Sequence, residues 1–165
     1  QTEHPVAIKL PGGEMISDGK EVTKDFGKLN QYEVTQKGSK VAVIGLGTFY
    51  GLGQQAANLI QEKTGVQPTV INPYYITGVD EALLEDLKKD HSVVLTLEDG
   101  ILDGGFGEKI TRFYGASDVK VLNFGLKKEF LDRYNVEEVL KANHLTAEQI
   151  TEDVCQVILN ESNVL

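Results

Sequence analysis

The sequence holds no tryptophan, a single cysteine and a single methionine, with only four prolines in 165 residues. One thiol, Cys155, excludes any disulfide within the chain, which fits a cytoplasmic setting. Cys155 falls in a segment of helical period and reads as a small buried apolar residue, not a reactive thiol. No apolar run approaches the ~18–20 residues that a bilayer-spanning helix needs, so no membrane partner is expected. Basic residues are short as well: 16 Lys and Arg stand against 25 Asp and Glu, a formal net charge of −9. That balance repels nucleic acid and anionic surfaces alike. Histidine is sparse too. His4, His91 and His144 show no metal spacing, and there is neither a G-x-S-x-G elbow nor a G-x-x-x-x-G-K-[ST] loop. No catalytic or metal-binding residue is therefore assigned. His91, between a helix end and a strand, reads as a partner of the helix dipole.

What is present is an ordinary globular composition, 41% hydrophobic and 25% charged. Residues 5 to 10, PVAIKL, read as a short strand that must turn at Pro11-Gly12-Gly13. Residues 14 to 31 are polar, without apolar period, and read as a linker. The opening QTEHPVAIKLPGGEM has no signal-peptide character. It also does not begin with methionine, and we expect a piece of a longer protein. From Tyr32 the pattern changes. Short apolar runs at 32–36, 41–45, 68–72, 92–97 and 119–124 alternate with segments of helical period at 50–64, 81–90 and 105–114. Asp80 is placed to cap the segment at 81–90. Asn135 with Glu138, and Thr146 with Gln149, match the capping-box spacing, the second opening a final helix with Ile150, Val154, Val157 and Ile158 on one face. Such alternation predicts a mostly parallel sheet covered on both faces by helices.

Two glycine-rich turns carry the functional question. In VAVIGLGTFYGLG, Gly45, Gly47 and Gly51 give a spaced variant of the dinucleotide fingerprint, with Thr48 beside Gly47. The acid that should close the next strand and hold a ribose is missing; Asn72 and then Pro73 stand there. A nicotinamide site is thus the weaker reading, and close packing of helix on sheet the stronger. In LEDGILDGGFGEKI the turn around Gly104 and Gly105 opens a helix, yet Glu98, Asp99 and Asp103 make it acidic and unsuited to an anion. Those acids are left as helix caps, interface partners or cation ligands, with a solvated structural role as the default.

The order of several passages resembles a known family. PVAIKLPGG, KVAVIGLGTF, TVINPYYITGVDEALLEDL, LTLEDGILDGGFGEKI, VKVLNFGLKKEF and YNVEEVLKANHLTAEQI are together similar to the C-terminal part of transketolase-like thiamine-diphosphate enzymes. The similarity is greatest to the 1-deoxy-D-xylulose-5-phosphate synthase branch, and the G-G-F-G turn also resembles the β subunit of 2-oxoacid dehydrogenase E1 components. The resemblance implies residues 1–31 as the end of a preceding pyrimidine-binding domain plus linker, and 32–165 as a C-terminal domain. It implies a three-layer α/β/α fold with five strands, the first antiparallel to the rest. The two glycine turns would then share one crevice, lined by Gly45, Gly47, Thr48, Glu98, Asp99, Gly104 and Gly105. It further implies a cytoplasmic homodimeric transferase of isoprenoid biosynthesis, moving a two-carbon unit to an aldehyde. Thiamine diphosphate and Mg²⁺ would be held by the preceding domains, so no cofactor is expected in this chain. Gly12 stands where the synthases carry an arginine in a P-R-G turn, which removes a charge-assisted phosphate contact. The alternative is a separately encoded, non-catalytic subunit or interaction module of a transketolase or E1-type complex.

Overall fold

The computed structural model describes residues 5–8, 10 and 27–162. Its elements run β1 (Glu33–Gln36), β2 (Lys40–Gly45), α1 (Phe49–Thr64), β3 (Thr69–Asn72), α2 (Glu81–Leu87), β4 (His91–Ile101), α3 (Phe106–Tyr114), β5 (Lys120–Leu126), α4 (Val136–Ala142) and α5 (Ala147–Ser162). They form one sheet in the order β1-β3-β2-β4-β5. Only β1 is antiparallel, pairing Glu33 with Asn72 on β3; the other contacts are parallel.

β2 shows why this sequence makes a central strand. Every residue after Lys40 is buried, as a parallel strand covered on both faces requires. Successive side chains serve opposite faces. Val41 and Val43 enter a cluster with Ala56 and Ile60 of α1 and Ile150 and Val154 of α5. Ala42 and Ile44 enter the other, with Leu84 and Leu87 of α2 and Phe106, Ile110 and Tyr114 of α3. Each such Ile or Leu contributes about 1.5–3 kcal/mol of apolar burial. Small residues face the sheet from α1: Ala56 and Ala57 are fully buried, so that helix can lie close against β2.

The caps form where the spacing predicts them. The Asp80 carboxylate accepts from the Leu83 N–H at 3.1 Å, and the Asn135 amide oxygen from Glu137 N–H at 2.9 Å. Gln149 N–H donates to the Thr146 hydroxyl at 3.3 Å. His91 is buried at the end of α2, with Nδ1 3.2 Å from the Leu87 carbonyl. Its Nε2 lies 2.8 Å from the Thr69 hydroxyl, a link to β3 beyond the dipole contact.

Four expectations are corrected. No strand forms at residues 5–8 and 10; Val6, Ile8 and Leu10 stay exposed and unsheltered by this sheet. The helix expected over 81–90 ends at Leu87, because three residues of turn carry the chain back into β4. β4 continues past Leu97 to Ile101, which pairs with Leu126 after a break in register. Cys155 is only partly buried, since it lies beside, not on, the line of Ile150 and Val154. Pro11-Gly12-Gly13 and most of the linker lie outside the described residues.

Candidate functional site

The chain runs outward from β2 to β3 in one direction, then from β4 to β5 in the other. α1 and α3 therefore leave their strands toward opposite faces, into separate clusters. The gap between them at the carboxyl ends of β2 and β4 is a topological switch point, where open α/β sheets place ligands. Leu46 N–H donates to the Leu97 carbonyl at 2.9 Å, so the two glycine turns are joined at their base.

On the β2 side, Gly45 is buried and the turn rises at once. A Cβ there would lie 2.6 Å from the Tyr50 Cα and 2.9 Å from the Phe49 carbonyl oxygen. Gly47 has φ +59, the left-handed region that glycine enters at no steric cost. Thr48 precedes α1 with helical dihedrals, and its side chain makes no cap bond. The first amides of α1 are used within the turn: Phe49 N–H donates to the Leu46 carbonyl and Tyr50 N–H to Gly47. Those are donors a pyrophosphate would need. Asn72 ends β3 opposite Glu33, whose carboxylate accepts from the Tyr74 hydroxyl.

On the β4 side the three acids separate. Glu98 is 5% exposed, and its two carboxylate oxygens accept from Phe106 N–H and Gly107 N–H, each at 2.8 Å. The amino end of α3 thus holds an anion already, supplied by its own chain. The bonds are charge-assisted and lie along the helix dipole, both favourable for a carboxylate. A Cβ on Gly105 would sit 2.5 Å from Glu98 Oε2, so the glycine makes the space the carboxylate occupies. Gly104, with φ +73, makes the turn before it. Asp99 and Asp103 are exposed, Asp103 lying 3.9 Å from Lys128.

A supporting network went unseen in the sequence. The Thr96 hydroxyl donates to Asn123 Oδ1 at 2.7 Å, and Asn123 Nδ2 donates to the Thr111 hydroxyl at 2.8 Å. Gly107 packs on it, for a Cβ there would be 2.6 Å from Thr96 Oγ1. Only the G-G-F-G spacing hinted at so tight a seat. Tyr32 was also missed: its ring centroid is 6.3 Å from that of Phe106, and burial holds its phenol far above the usual range. A shallow cavity of about 360 Å³ opens elsewhere, beyond β5, against Leu102, Lys127, Asn143 and His144.

Arranged this way, the amides that open α1 and α3 are already engaged by this chain's own carbonyls and by the Glu98 carboxylate. Comparison with known proteins agrees with the fold. Residues 30–150 match the family model for transketolase, C-terminal domain. The chain is 34% identical over 155 residues to 1-deoxy-D-xylulose-5-phosphate synthase of Clostridium beijerinckii, covering 93% of this chain and 25% of that protein. The enzyme of the same name from Symbiobacterium thermophilum is 33% identical over 150 residues, covering 90% and 23%. Among solved structures, a split-gene transketolase described as an inactive beta4 tetramer superposes with TM-score 0.70 at 19% identity, covering 78% of this chain and 42% of that one. A transketolase mutant from Pichia stipitis gives TM-score 0.54 at 14% identity, covering 81% and 18%. The chain thus spans about a quarter of the length of the curated relatives it matches. With sequence match, strand order and switch point in accord, the chain belongs to the transketolase C-terminal domain family.

Proposed function

We propose that this chain is the C-terminal part of a thiamine-diphosphate-dependent transferase of the transketolase type, in the 1-deoxy-D-xylulose-5-phosphate synthase branch. In this reading residues 1–31 are the end of a preceding pyrimidine-binding domain plus linker, and 32–165 the C-terminal domain. The parent protein moves a two-carbon unit from a 2-oxo donor or a ketose to an aldehyde, as a cytoplasmic homodimer. The observation that carries the proposal is the 34% identity to a curated synthase across 93% of the chain.

The described residues do not fit the cofactor. Mg²⁺ at a diphosphate wants carboxylate or other oxygen ligands in near-octahedral array, and no three His, Cys, Asp or Glu side chains converge among the described residues. The amino end of α3, which would suit a phosphate, is closed by Glu98. Thiamine diphosphate supplies an ylid that stabilises a carbanion when bound, and in this proposal it is bound by polypeptide outside the chain. The domain's part is a rigid sheet and helix layer against which that polypeptide is built. Gly12, outside the described residues, offers no guanidinium to a phosphate, so the acceptor aldehyde is held without that contact.

The parent protein should be assayed with pyruvate plus an aldehyde and with a ketose plus an aldehyde. Turnover of at least one pair, dependent on thiamine diphosphate and Mg²⁺, is expected. Turnover of neither would overturn the proposal.

A further inference from the structure

We propose that the loop between β3 and α2, residues 73–80, is a clamp that grips residues 30–32 and so anchors the preceding polypeptide to the domain. What that polypeptide carries rests on the reading above; the clamp itself does not. Sheet pairing of the entering chain begins only at Glu33. The grip starts earlier. Thr77 Oγ1 donates to Asn30 Oδ1 at 2.8 Å, and a Cβ on Gly78 would lie 2.5 Å from Asn30 Nδ2, so the loop backbone seats directly under that amide. Asn30 itself has φ 58, a left-handed conformation that asparagine tolerates better than most residues. Two residues on, Tyr32 N–H donates to Asp80 Oδ2 at 3.0 Å and Tyr32 O–H to the Gly78 carbonyl at 3.1 Å.

The loop is in turn held by the domain. Asp80 Oδ1 caps α2 through Leu83 N–H, and Lys109 of α3 donates to the Ile76 carbonyl. One carboxylate, Asp80, therefore joins the entering chain to a helix start. The loop is thus bonded both to α2 and α3 and to residues 30–32.

Lys28 is exposed two residues before the first clamped one. Cleavage there by trypsin follows the population in which residues 30–32 have lifted away. The test uses this chain with Thr77→Val and Tyr32→Phe together, which removes two hydrogen bonds and little volume. Cleavage after Lys28 is expected to quicken about ten-fold, with cleavage after Lys63 in α1 unchanged. Asn30→Gly, which keeps the left-handed backbone and loses the amide, is expected to quicken it several-fold and serves if the double variant folds poorly. An unchanged rate after Lys28, or an equal rise at Lys63, would overturn the clamp. Since cleavage is read on this chain alone, a silent turnover assay beside a quickened cut at Lys28 would overturn the enzyme reading and leave the clamp standing.

Discussion

Replacing Glu98 with alanine is expected to lower folding stability by about 3 kcal/mol, from the loss of two charge-assisted bonds in a buried place. The carboxylate is 5% exposed and takes both the Phe106 and Gly107 amides, and both of those residues are buried. Alanine leaves two donors facing a void. Urea denaturation reads the change as a lower midpoint with an unaltered slope. A loss below 0.5 kcal/mol (about the scatter of surface substitutions) would show that water replaces the carboxylate. The neighbouring glycine supplies a sharper form of the test. Gly105 has φ −75 and ψ −175, open to any residue, so only the Glu98 carboxylate 2.5 Å away excludes a methyl group. Gly105→Ala should therefore cost about 2 kcal/mol in the natural chain, within the range for overpacking. In the Glu98→Ala background it should cost almost nothing. Contacting residues couple in this way, and equal costs in both backgrounds would refute the arrangement.

Gly45→Ala is expected to be the more damaging change on the other strand, at about 3 kcal/mol or more, the top of the range for an added methyl. The obstructing atoms are backbone: Tyr50 Cα at 2.6 Å and the Phe49 carbonyl oxygen at 2.9 Å. No rotamer relieves them, so α1 must move off the sheet. Gly51 belongs to the same sequence pattern and should behave oppositely. A Cβ there meets nothing within 4 Å, and the residue lies exposed within α1. Gly51→Ala should stabilise by about 0.5 kcal/mol through helix propensity. Thermal unfolding of the two variants reads both signs. If they shifted alike, the pattern would be acting as a ligand loop instead of as one packing contact and one spare helix position.

That contrast shows what was legible in the sequence and why. VAVIG reads as a buried strand because all five residues are apolar and both faces are covered. The caps at Asp80, Asn135 and Thr146 read from spacing because each bond spans two or three residues. Strand order did not follow from the residues themselves; it came through the family resemblance, since pairing partners are distant in the chain. Glu98, Asp99 and Asp103 looked alike as neighbours in one acidic turn. Burial separates them, because Glu98 reaches eight and nine residues ahead to a helix start that local period does not reveal. The apolar run ends at Leu97, where the sequence places the glycine-rich turn, whereas pairing with β5 resumes at Ile101 after the register break. At residues 5–10 the apolar side chains suggest a strand, yet Val6, Ile8 and Leu10 lie exposed and outside the five-stranded sheet.

The central claim is that the reacting centre belongs to polypeptide outside this chain, and calorimetric titration of the 165-residue chain with thiamine diphosphate and Mg²⁺ tests it most directly. The account predicts no heat of binding up to millimolar cofactor; saturable binding in the micromolar range would contradict it.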